Sequence, residues 1–91
     1  MSMIAMSLKI DEKRVAAVLR EAGEKLDAAT GDLIVDFSAV RRVDSSTLRA
    51  MEEFIRRADA VGVRVVLRAV NVEVYKVLKL MKLTRRFSFE N

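Results

Sequence analysis

The chain has 91 residues, 52% apolar and 33% charged, with 17 Lys and Arg against 13 Asp and Glu for a net charge of +4. That length predicts a single domain over residues 1–91 with a modest core. With no Cys and no His, the sequence excludes disulfides, thiol nucleophiles, thiolate or imidazole metal sites and the commonest general base. No stretch approaches the roughly 20 apolar residues that cross a bilayer. The opening MSMIAMSLKI lacks the basic leader and long apolar run of a secretory signal. The expectation is a soluble, cytoplasmic protein without membrane insertion.

Residues 3–10 predict a first strand. Asp11 then offers a cap for a helix from Glu12 to Ala29, in which Val15, Val18, Leu19, Ala22 and Leu26 recur at helical spacing. Gly31 is expected to close that helix in the left-handed conformation. Leu33, Ile34, Val35, Asp36 and Phe37 form a short branched run, the pattern of a central strand covered on at least one face. From Ser45 to Ala60, Leu48, Met51, Phe54, Ile55 and Ala58 make a second stripe, with Glu52–Arg56 and Glu53–Arg57 as four-apart pairs on the wet side. Gly62 ends it, and Val63, Val65, Val66 and Leu67 supply another strand. Asn71 caps a last helix in which Val74, Tyr75, Val77, Leu78 and Met81 are expected to face inward. The order strand-helix-strand-helix-strand-helix favours parallel strands with right-handed crossovers, hence an α/β fold with helices packed on a small sheet.

The stretch VDSSTLRAM, residues 43–51, carries more hydroxyls than a helix start needs. Asp44 suffices as the cap, since its carboxylate accepts first-turn N–H groups and sits at the positive end of the helix dipole. Capping alone accounts for the aspartate and tolerates Ser45, Ser46 and Thr47. The sharper reading uses the same position. A hydroxyl at the first helical residue, just past a strand's carboxyl end, is exposed where α/β folds place functional sites. Phosphorylation there adds roughly −1.5 to −2 charges among free N–H groups without requiring a new fold, which is enough to switch a protein contact off.

Other classes are weaker. Asp36 and Asp44 could hold a divalent cation or act as an acid–base pair, but no His, glycine-rich loop or lysine motif accompanies them. Lys76, Lys79, Lys82, Arg85 and Arg86 make the last quarter basic, and on a continuous helix 79, 82 and 86 share one side. Without interleaved aromatics or helix-turn-helix spacing, a solvated helix face explains them better than direct nucleic-acid binding. Val72 and Phe89 are expected outside the packed stripe, as parts of a docking surface if they meet. Met3, Met6, Met51 and Met81 read as core or tail residues, and no cofactor, metal site or catalytic residue is expected.

The segment from Leu33 to Leu83, LIVDFSAVRRVDSSTLRAMEEFIRRADAVGVRVVLRAVNVEVYKVLKLMKL, resembles the core of the STAS domain found in anti-sigma factor antagonists and in the tails of sulphate transporters. The resemblance covers residues 32–87. It rests on the strand ending in Asp36 and Ser38, the Asp44-Ser45-Ser46 turn, Leu48, Gly62 before an apolar strand, and a last helix ending at Leu80 and Leu83. It implies a partner-switching protein. Ser45 would be the phosphorylated residue, with Ser46 as alternative acceptor, and the partner a serine kinase of the GHKL type that is itself the anti-sigma factor. Asp44, Ser45, Ser46, Thr47 and Arg49 would form the partner surface. The sequence departs from the family pattern where Thr47 and Lys82 replace usual glycines, where Arg49 replaces a small residue, and where one strand instead of two precedes the first helix. Arg49 lies one helical turn from Ser45, positioned to pair with a phosphate. Residues 70–83, VNVEVYKVLKLMKL, are also similar to the small STAS subunit that docks on the ATPase of a bacterial lipid-transport ABC system, which implies a structural or activating subunit as the alternative.

Overall fold

A computed structural model describes residues 4–27 and 31–90. Strands β1 (Ile4–Lys9), β2 (Asp32–Asp36), β3 (Val65–Arg68) and β4 (Ser88–Glu90) alternate with helices α1 (Val15–Glu24), α2 (Ser45–Val61) and α3 (Val72–Leu80). The sheet runs β1-β2-β3-β4 and every neighbouring pair is parallel. Each crossover therefore steps one strand in the same direction, and right-handed connections place all three helices on one face. The core agrees. Val15 and Leu19 of α1, Met51, Phe54 and Ile55 of α2, and Val74 and Leu78 of α3 cluster with Leu33, Val35, Val65 and Leu67 of the central strands.

Alternation along the strands sends the intervening residues to the opposite face, which carries no helix. Register aligns Ser7, Ile34, Val66 and Ser88 in one row and Lys9, Asp36, Arg68 and Glu90 in the next, the second alternating in sign across four strands. Arg68 Nε lies 3.7 Å from Glu90 Oε1, and Arg64 Nε 3.9 Å from Asp32 Oδ2. Cross-strand pairs of opposite charge suit a sheet face left to solvent.

Helix α2 matches its expectation because both ends carry point signals. Asp44 accepts the Thr47 N–H at 2.8 Å, and Gly62 closes the helix at φ 76. Gly62 N donates to Asp59 O and Val63 N to Ala58 O, a Schellman closure that needs the left-handed residue. Of the expected pairs on its wet side, Glu53–Arg57 forms at 3.3 Å and Glu52–Arg56 does not.

Helix α1 is shorter than expected. Asp11 does cap, accepting the Lys13 N–H at 3.0 Å, but what it starts is a single 3-10 turn, Glu12–Arg14, that leads into α1. The α-helix ends at Glu24, so Leu26 lies beyond it, and the expected continuation through 28 and 29 lies outside the described residues. Gly31 is left-handed at φ 74, yet it precedes β2 and does not close the helix. Met3 and the side chain of Met6 also fall outside the described residues.

At α3, Asn71 caps as expected, with Oδ1 accepting the Val74 N–H at 2.8 Å. The helix stops at Leu80 through a second Schellman closure, Lys82 N to Lys79 O and Leu83 N to Leu78 O, with Lys82 itself at φ 60. A lysine thus occupies the conformation that glycine would adopt without strain. Two inward expectations are corrected. Met81 lies past the last turn and is 48% exposed, and Tyr75, at the stripe's margin, is 41% exposed. Tyr75 packs edge-to-face on Phe89 with centroids 5.2 Å apart. Strand β4 follows the expected six elements as a seventh, three residues long and paired with β3.

Candidate functional site

The first turn of α2 stands at the carboxyl edge of the sheet, at the end of a loop fastened along its length. At the loop's start, Asp36 closes β2 by accepting the Ser38 N–H at 2.8 Å. Phe37 and Val40 are buried, and Val40 N donates to Phe37 O at 2.9 Å. Further on, Arg41 N donates to the Glu12 carboxylate at 3.1 Å. Asn71 Nδ2 donates to Val40 O at 3.1 Å and to Arg41 O at 3.2 Å. One side chain therefore caps α3 and ties its start to the loop that delivers α2. That tether is absent from the sequence reading, which had only the cap signal for Asn71, because nothing local to residue 71 points to partners 30 residues away.

Ser45 and Ser46 are exposed, as are Asp44 and Arg49. Ser45 and Arg49 sit four apart on α2, so their side chains share one face. Thr47 is different. It is 8% exposed and turned inward, and its N–H donates to Asp44 Oδ1 at 2.8 Å. It therefore supports the cap and does not stand out beside Ser45 as bulk that a partner must clear. The Asp44 carboxyl is held below its ordinary range by the Thr47 N–H first, then by the Thr47 hydroxyl, with a smaller contribution from the Ser46 N–H. Asp36 is lowered likewise by the Ser38 hydroxyl and N–H, then by Lys9 and Arg68 on either side.

Both aspartates are thus engaged by their own turns. Among the described residues no group of three or more acidic side chains is placed to hold a metal ion. The basic residues of the last quarter do not form the stripe that one continuous helix through 79, 82 and 86 would make. The helix ends before Lys82, and Arg86 turns to Asp59, with 2.8 Å between Nη2 and Oδ2. No helix of the described residues is long and apolar enough to cross a membrane. Val72 and Phe89 are exposed as expected, and they line one recess with Val70, Tyr75 and Glu90.

The domain is thus an all-parallel α/β fold with its helices on one face and exposed serines at the start of its central helix. The chain belongs to the STAS domain family, whose profile matches residues 1–91. Among solved structures it is similar to a protein assigned as an anti-sigma factor antagonist from Thermotoga maritima, at 20% identity and TM-score 0.71, covering 98% of this chain and 75% of that one. It is also similar to a chain of the stressosome, described as a signal integration and transduction hub, at 25% identity and TM-score 0.74, covering 98% and 84%. Comparison with curated proteins gives no sequence match.

Proposed function

We propose that this STAS domain is a phosphorylation-controlled interaction switch of the anti-sigma factor antagonist kind, acting in the cytoplasm through binding and not through catalysis. Its partner is a serine kinase of the GHKL type that doubles as an anti-sigma factor, so the switch regulates transcription indirectly. Ser45 is the acceptor, Ser46 its alternative, Asp44 the cap that fixes both, and Arg49 a cation one helical turn away that can pair with an added phosphate. The observation that carries this reading is the exposed Ser45 hydroxyl at the first residue of a helix whose cap and preceding loop are already fixed by other side chains.

The physical consequence is a local change on an unchanged fold. A phosphate at Ser45 meets the helix dipole and Arg49, each worth about 0.5 kcal/mol at an exposed position, and it meets repulsion from the Asp44 carboxylate. These effects oppose one another and leave stability nearly constant. A partner surface fitted to a neutral hydroxyl, however, must then accept nearly two negative charges. The test is a pull-down from native extract with ATP, comparing wild type, Ser45→Ala and Ser45→Asp, with intact-mass analysis of the recovered protein. Capture of a kinase by wild type and Ser45→Ala but not Ser45→Asp, with one phosphate only where Ser45 is present, supports the switch. Equal capture of a transporter ATPase by all three, without phosphate, replaces it with the transport-subunit reading.

A further inference from the structure

Two independent features coincide on α3 and β4. All the large apolar side chains that stand exposed among the described residues belong to this segment, namely Val72, Tyr75, Leu80, Met81 and Phe89. So does most of the net charge. Lys76, Lys79, Lys82 and Arg85 are exposed and form no ion pair among the described residues. With Arg86 they face only Glu73 and Glu90 in residues 72–90, so three of the chain's four net positive charges lie here.

The two features share one geometry. Val72, Tyr75, Lys76, Lys79 and Leu80 follow the i, i+3, i+4, i+7, i+8 pattern, which makes a continuous outward stripe opposite the buried Val74 and Leu78. At its upper end Val70, Val72, Tyr75, Phe89 and Glu90 line an open recess of about 240 Å³ beside the Tyr75–Phe89 edge-to-face pair, with the Glu90 carboxylate matched by Arg68 at 3.7 Å. At its lower end Lys76, Lys79 and Lys82 surround Leu80, which is 81% exposed. Exposed apolar side chains gathered on one face and rimmed by charged residues mark an interaction surface.

We propose that the outward face of α3 with β4 is a docking surface for an acidic amphipathic helix of a partner protein. One apolar anchor enters the Val72–Tyr75–Phe89 recess, a second packs on Leu80, and carboxylates along the same helix meet Lys76, Lys79, Lys82 and Arg85. Charge decides against a second copy, because a two-fold contact sets this basic stripe against itself. Shape decides against a lipid surface. The recess receives a side chain instead of presenting one, the Tyr75 ring is held by Phe89, and a nine-residue helix offers only about 12 Å of stripe. The surface lies on a different helix from Ser45, so it reaches beyond the switch proposed above and its failure is separable from that of the switch.

The probes are three fluorescent synthetic peptides. One has Leu on a helical stripe with Glu elsewhere, the second is a scramble of equal composition, and the third carries Lys in place of Glu. Binding is read by anisotropy and mapped by amide NMR, which also verifies the fold of each variant. The first peptide is expected to bind with Kd on the order of 100 μM or tighter, about tenfold better than the scramble, with no binding of the third. Leu80→Ser and Lys79→Glu are each expected to weaken it about tenfold, Ser45→Asp to leave it unchanged, and NMR shifts to centre on α3 and β4. The proposal is overturned if the first peptide fails to bind below about 1 mM. It is equally overturned if peptide and scramble bind alike, or if phosphatidylglycerol vesicles or duplex DNA bind more tightly through the same residues.

Discussion

Replacing Asn71 tests how the site is held together. Its Oδ1 caps α3 at Val74, while Nδ2 reaches two carbonyls of the loop that precedes Ser45. In Asn71→Ala the lost cap costs about 1 kcal/mol. The carbonyl of buried Val40 is left without its donor at roughly 1–2 kcal/mol, and that of Arg41, facing water, adds little. The total is about 2–3 kcal/mol, which for a domain of this size lowers Tm by roughly 10–20 °C. Asn71→Ser retains a capping oxygen but not the reach to the loop, so it should cost about 1–2 kcal/mol. Urea denaturation of the three proteins gives the differences. Amide exchange at Arg41 to Asp44 should quicken in both variants, because the loop loses its tie to α3. If Asn71→Ala costs under about 0.5 kcal/mol, or if exchange quickens only at α3, the tether does not hold the loop and the reasoning fails.

The remaining predictions concern single physical terms. Lys82→Gly should stabilise by about 0.5–1 kcal/mol by relieving the left-handed lysine, whereas Gly62→Ala should destabilise by about 1 kcal/mol, although nothing lies within 4 Å of the added Cβ. Thermal unfolding distinguishes them, and the same sign for both would contradict the account. Asp36 and Asp44 have folded pKa values below their ordinary ones, so the stability they contribute is present above about pH 4 and lost as pH falls through the folded values. The fall in urea midpoint between about pH 5 and pH 3 should therefore be shallower in Asp44→Asn, which keeps a capping oxygen that does not titrate. Ser45→Ala and Ser45→Asp should unfold within about 0.5 kcal/mol of wild type, since Ser45 is exposed, and a larger loss would make Ser45 a structural residue.

How far the sequence reached depends on where its signals were local. Asp44 and Gly62 bracket α2 because a cap and a left-handed glycine each act within one turn, and the burial of Met51, Phe54 and Ile55 follows from spacing alone. The end of α1 had no such marker. It stops at Glu24 with Lys25 as its cap residue, so the next glycine, Gly31, drew a closure that belongs to the approach to β2. The end of α3 was misplaced for the converse reason, because Lys82 adopts a conformation its residue type does not advertise. That misplacement carried Met81 inward and joined Lys82 and Arg86 to a helix that had already ended. Strand β4 is three residues stabilised by pairing to β3, and a segment so short holds too little pattern to be read without its neighbour.

At the candidate site, the sequence supplied residue types and the cap, and the resemblance supplied a purpose for Ser45. The fold adds what neither contained, the inward turn of Thr47 and the fastening of the loop by Glu12 and Asn71. These make Ser45 accessible on a rigid support, the condition for a modification to be read as a surface change instead of as local unfolding.

Phosphopeptide mapping of the chain isolated from its own cells tests the central claim most directly. The account predicts a single phosphate on the peptide spanning residues 43–49, at Ser45 or, failing that, Ser46, with its occupancy changing between growth and stress. Phosphate confined to residues elsewhere, or none under any condition, would contradict it.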